Sequence, residues 1–81
     1  MLVTGNGTFP LAQGANWSAS ALYTDALGGA TVQLQVNGVD LVDGALADNT
    51  QYVVTHGKRA VVEVVVTGYT ADFNIWTYDA S

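Results

Sequence analysis

VQLQVNGVDLV, residues 32–42, alternates apolar and polar side chains up to Asn37-Gly38 and resumes the alternation beyond it. A two-residue Asn-Gly between alternating runs signals a β-hairpin, because a type I′ turn needs φ > 0 at both central residues. Closing that turn sets Val36 opposite Val39 and Leu34 opposite Leu41. Val32, Leu34, Val36, Val39 and Leu41 then share one face, while Gln33, Gln35 and Asp40 share the other. The centre of the chain is a one-sided β-hairpin.

The flanks read the same way. Before the hairpin, Ala15 to Asp25 has period two, with Trp17, Ala19, Ala21 and Tyr23 on one face and Ser18, Ser20, Leu22 and Thr24 on the other. Further upstream, Phe9 and Leu11 flank Pro10, which cannot donate to a ladder, so residues 1–14 read as an N-terminal arm or an edge strand. After the hairpin, Asp43 to Asn49 is a loop by its Gly, Asp and Asn content. Gln51 to Thr55 is a short strand and His56 to Arg59 a turn. In Ala60 to Thr67, five of the eight residues are valine, a composition suited to a pleated, half-buried surface. Glu63 breaks the Val61/Val65 face, which leaves Val62, Val64 and Val66 as core. Asp72 to Tyr78 closes the chain, with Phe73, Ile75 and Thr77 alternating against Asn74, Trp76 and Tyr78. Six or seven short strands at a spacing of roughly 8–12 residues predict one all-β domain over residues 1–81. The expected fold is a small antiparallel β-sandwich, jelly-roll or Ig-like.

Composition narrows what such a domain does. At 81 residues it buries only a little over ~60% of its unfolded surface, and it contains no cysteine with which to add a disulfide or a thiolate metal site. Only 11% of the residues are charged, against ~25% in typical domains. Lys58 and Arg59 are the only Lys and Arg in a chain of net charge −5. Edge strands are usually protected by charge, above all by lysine, so this composition points to a component that packs against something. Two basic residues do not make a phosphate-binding stripe, which argues against nucleic acid. MLVTGNGTFP lacks the basic start and long apolar run of a secretory signal. The longest apolar runs fall far short of the ~20 residues that span a bilayer, so no membrane partner is expected.

No residue pattern specifies a reaction. His56 stands in a turn without a serine elbow or an orienting acid, so the chain is not expected to be an enzyme and no catalytic residue is assigned. Asp40, Asp43, Asp48 and Asn49 cluster within ten residues, but their spacing fits no calcium loop, and no metal or other cofactor is expected. Trp17, Trp76, Tyr69 and Tyr78 could anchor an interface or form a platform for sugar stacking. The carbohydrate reading requires an exposed, coplanar aromatic pair. The basic turn suggests a contact loop, in which His56, Lys58 and Arg59 dock on Asp40, Asp43 or Asp48 of an adjacent copy.

The order of GGATVQLQVNG (residues 28–38), VDLVDGALADN and YVVTHGKRAVVEVVVTG (residues 52–68) resembles small β-sandwich virion structural proteins of tailed bacteriophages. Gly28 to Gln35, Tyr52 to Val54 and Gly57 to Gly68 carry the likeness, which covers about two-thirds of the chain. The resemblance implies a non-enzymatic structural subunit located in the virion. A capsid decoration or cement protein is the first form of that reading, and a small tail or fibre component the alternative. A carbohydrate-binding β-sandwich module is the rival from another class. Implied partners are the chain itself, as a homo-oligomer with a trimer favoured, and a major capsid protein or another virion protein. The expected interface residues are His56, Lys58, Arg59, Trp17, Trp76 and Tyr78.

Overall fold

The computed structural model of the chain describes residues 1–41 and 44–81. Its strands are β1 (Leu2–Val3), β2 (Gly7–Pro10), β3 (Ala19–Thr24), β4 (Thr31–Val36), β5 (Val39–Asp40), β6 (Gln51–Thr55), β7 (Val62–Thr67) and β8 (Phe73–Asp79). They form two four-stranded antiparallel sheets, ordered β1-β8-β3-β6 and β2-β7-β4-β5. β3 pairs with β6 in one sheet while β4 pairs with β7 in the other. This is the crossed pairing of Greek-key sandwiches.

Alternation explains the core. Leu22, Val54, Phe73 and Ile75 point inward from the first sheet and Val32, Leu34, Val62, Val64 and Val66 from the second. Val3, Leu11, Leu27 and Leu46 close the ends. The expected Val62, Val64 and Val66 face is buried. On the far side of the second sheet lie Gln33, Gln35, Asp40 and Glu63, with Gln35 paired to both Asp40 and Glu63. The same face carries Val65, paired with Gln33 and Thr8, and the exposed Val61 lies just before β7, so this outer face is mixed but bears the charges of Asp40 and Glu63.

The hairpin forms as its residues require. Asn37 and Gly38 have φ of 52° and 81°, the type I′ signature, and Val36 pairs with Val39. The Leu41 amide donates to the Leu34 carbonyl at 3.0 Å, and the Val61 amide donates to Asn37 Oδ1 at 2.9 Å. The returning strand is only two residues long, however, and Val39 is 66% exposed with Leu41 also exposed. The apolar face of the hairpin is therefore buried along β4 and lost along β5, because β5 lies at the rim of its sheet. Val42 lies outside the described residues. Gly38→Ala keeps the turn but places a Cβ in the left-handed region, and is expected to cost about 1 kcal/mol. Urea denaturation with an unchanged slope would register it.

Eight strands stand where the spacing suggested six or seven. The split of the N-terminal segment into two strands is the addition. β1 pairs with β8 in the first sheet and β2 with β7 in the second, so the chain crosses between sheets at Gly5-Asn6. Asn6 Oδ1 holds that crossing by accepting the Tyr69 amide at 2.8 Å. The strand expected from Ala15 begins only at Ala19, and Trp17 belongs to the preceding turn, where its amide donates to the Gly14 carbonyl at 3.0 Å.

Candidate functional site

The outer face of the β1-β8-β3-β6 sheet is aromatic and uncharged where its counterpart bears Asp40 and Glu63. Strand period places Tyr23 and Ala21 of β3, Trp76 and Tyr78 of β8, and Gln51, Val53 and Thr55 of β6 on one surface. Tyr23 pairs with both Trp76 and Gln51, and Ala21 with both Tyr78 and Val53. Trp76 is 43% exposed, Tyr78 54% and Val53 64%, and Leu2 of β1 adds a further exposed apolar side chain. None of these residues is charged.

A shallow groove of about 630 Å³ runs across one end of this face. Tyr23, Trp76 and Tyr78 form its aromatic part, and Thr24, Asn49, Thr50 and Gln51 supply amides and hydroxyls. The Tyr23 and Tyr78 rings meet edge to face, with centroids 5.4 Å apart and planes at 82°. They make a corner and not the coplanar pair that a flat sugar platform requires. The groove floor is held by Thr24: its Oγ1 donates to the Ala47 carbonyl at 2.6 Å and accepts the Thr50 amide at 2.9 Å.

The six residues expected at an interface fall into two groups. Trp76 and Tyr78 lie on the aromatic face. Trp17, His56, Lys58 and Arg59 lie at one end of the sandwich, where the 14–18 turn meets the 56–59 turn through His56 N–H to Ser18 O (2.9 Å) and Arg59 N–H to Ala15 O (3.2 Å). There Trp17 folds back over its own turn, so that a Cβ at Gly14 would fall 2.5 Å from the indole Nε1. Trp17 is half-buried by that contact. Tyr69 sits apart as well, in the β7–β8 connection, with its hydroxyl donating to Asp72. That hydrogen bond, followed by desolvation and the Asp72 charge, pushes the Tyr69 hydroxyl above the usual tyrosine range. The four aromatics singled out from the sequence thus do not converge. Tyr23 takes the place of Trp17 and Tyr69, and its signal was the shared face with Ala19 and Ala21.

His56 is not a free contact group. Its Nδ1 donates to the Gly57 carbonyl at 2.7 Å, which leaves Nε2 to accept from Ser20 Oγ at 2.8 Å. This is the spacing of a nucleophile and a base, but Ser20 is 4% exposed and faces the core. The space beside it, walled by Leu22, Leu34 and Val54, amounts to about 10 Å³. That volume is at the lower limit for a single water, and no substrate reaches the hydroxyl. The pair ties the basic turn to β3. Lys58 and Arg59 remain exposed beside it.

Among the described residues no three His or acidic side chains gather to hold a metal ion. Asp43 of the acidic cluster lies outside the described residues. Among the described residues no helix is long and apolar enough to cross a membrane. No family model matches the chain, and neither does any curated protein or solved structure.

Proposed function

We propose that the chain is a non-enzymatic structural subunit of a phage virion, with capsid decoration or cement as its role. The observation that carries this reading is the asymmetry of the two outer faces. One mixes Gln33, Gln35 and Val65 with the charges of Asp40 and Glu63, and the other presents Leu2, Tyr23, Val53, Trp76 and Tyr78 without a charge. Exposed apolar patches of this kind, built on aromatics and bordered by polar groups, are what protein interfaces use. The resemblance to small virion proteins directs the reading to a particle, and a small core with little charge suits a component that gains stability on assembly.

The test is sedimentation of lysate from the native source, with the chain followed by mass spectrometry. The expected result is co-migration with megadalton particles. Trp76→Ala is expected to lower particle occupancy roughly 30-fold, the effect of losing an aromatic anchor of ~2 kcal/mol. Recovery in the light fractions alone would overturn the reading.

The groove favours a second reading, a carbohydrate-binding module. A sugar offers C–H faces to Tyr23, Trp76 or Tyr78 and hydroxyls to Asn49, Thr50 and Gln51. The perpendicular rings count against a flat polysaccharide and fit a single residue seated in the corner. Glycan titration read through tryptophan fluorescence, with Trp17→Phe retaining the response and Trp76→Phe losing it, distinguishes this reading, since only a module of this class responds in the absence of particles.

A further inference from the structure

Of the four edge strands, three are protected. β1 and β5 are two residues long, and β2 carries Pro10. β6 is five residues of uncharged, proline-free strand, Gln51-Tyr52-Val53-Val54-Thr55. Its hydrogen bonds with β3 belong to the even-numbered residues, as shown at both ends by Thr24 N–H to Thr50 O (3.0 Å) and His56 N–H to Ser18 O (2.9 Å). Antiparallel alternation then turns the N–H and C=O groups of Gln51, Val53 and Thr55 outward. They have no partner among the described residues.

We propose that this edge pairs with β6 of a second copy, antiparallel about a two-fold axis at Val53, to form an isologous dimer with a continuous eight-stranded sheet. The proposal rests on the reading of the chain as an assembly subunit and names the contact that it makes with itself. Three features select this occupant. Val53 of one copy opposite Val53 of the other is a hydrogen-bonded pair in which each exchanges both backbone groups, and Gln51 then faces Thr55 of the second copy on either side. Tyr78, Ala21 and Val53 already form one cross-strand row, so pairing continues an apolar row across the axis and covers the exposed Val53. Charge agrees as well. Antiparallel pairing brings the turn after β6 of one copy, with exposed Lys58 and Arg59, to the same end as the turn before β6 of the other, with exposed Asp48. The only basic turn of the chain is thereby set beside an acidic one, and the same contact forms twice.

Sedimentation equilibrium of the purified chain over a concentration series tests the proposal. The wild type is expected to pass from monomer to dimer, and added salt to weaken the dimer by screening Lys58 and Asp48. Val53→Pro removes only an outward N–H and leaves the β3 ladder whole, so it is expected to weaken dimerisation tenfold or more (roughly two backbone hydrogen bonds) with the fold retained. Val53→Lys, which spares the backbone, places two lysines at the axis and is expected to do the same. Lys58→Glu should reverse the salt dependence. A wild type that stays monomeric, or Val53→Pro and Val53→Lys variants that both dimerise like the wild type, would overturn it. A monomer that still co-sediments with particles removes the pairing and keeps the particle reading, whereas a dimer found only in light fractions does the opposite.

Discussion

Phe73→Ala is expected to remove about 3–5 kcal/mol of stability, the cost of deleting a fully buried aromatic ring and leaving a cavity. Phe73 is the largest of the fully buried side chains and projects from β8 into the space between the sheets. Its backbone pairs with Val3, so the cavity would open beneath the shortest strand of that sheet. An 81-residue chain has a total stability on the order of 4–12 kcal/mol. The variant therefore keeps part of its fold stability or none. At about 4–8 °C per kcal/mol, the melting temperature should fall by roughly 12–40 °C. Thermal and urea denaturation followed by circular dichroism measure both quantities. A loss below about 1 kcal/mol would mean that the two sheets do not close over this ring.

Thr24→Val is expected to cost about 1–3 kcal/mol although it changes the side-chain volume little. Thr24 is 4% exposed, and its hydroxyl serves the Ala47 carbonyl and the Thr50 amide together. Valine strands both backbone groups, and no other described side chain bonds to either of them; Tyr52 holds the same turn through a different group, its hydroxyl accepting the Ala47 amide at 2.8 Å. The 47–50 turn should loosen first. Hydrogen exchange at the Thr50 amide is expected to accelerate by more than the global loss of stability explains, and any ligand of the groove should bind more weakly. Unchanged exchange at Thr50 would show that the turn is held instead by the Leu27 amide donating to Asp48 Oδ1 (3.3 Å) and the Asn49 amide donating to the Asp25 carbonyl (3.2 Å).

These two residues were unequally visible in the sequence. Phe73 shares one alternating set with Ile75 and Thr77, without a sign of which set of that strand faces inward, and the structure buries Phe73 and Ile75. Thr24 was placed on the correct strand face with Ser20 and Leu22, but nothing local distinguished a buried threonine from an exposed one. Its partners lie more than twenty residues downstream, in a loop that composition alone described. The same holds for Ser20 and His56, which are thirty-six positions apart. Pattern reading assigns a residue to a face, and long-range hydrogen bonds are decided only when loops are laid against strands.

By itself the sequence determined the hairpin at Asn37-Gly38, the all-β class and the inward set on β4 and β7, because period two and left-handed turn residues are local properties of the chain. Tertiary structure alone decided which face of β3, β6 and β8 became core and how far the expected faces stay covered. β5 overhangs its sheet, so Val39 and Leu41 stay exposed despite the correct alternation. Trp17 closes over Gly14 and leaves the aromatic face to Tyr23, Trp76 and Tyr78. The sheet order leaves β6 as the one long, uncharged edge. Alternation defines two faces for every strand, and only the stacking of one sheet on another determines which of them meets water.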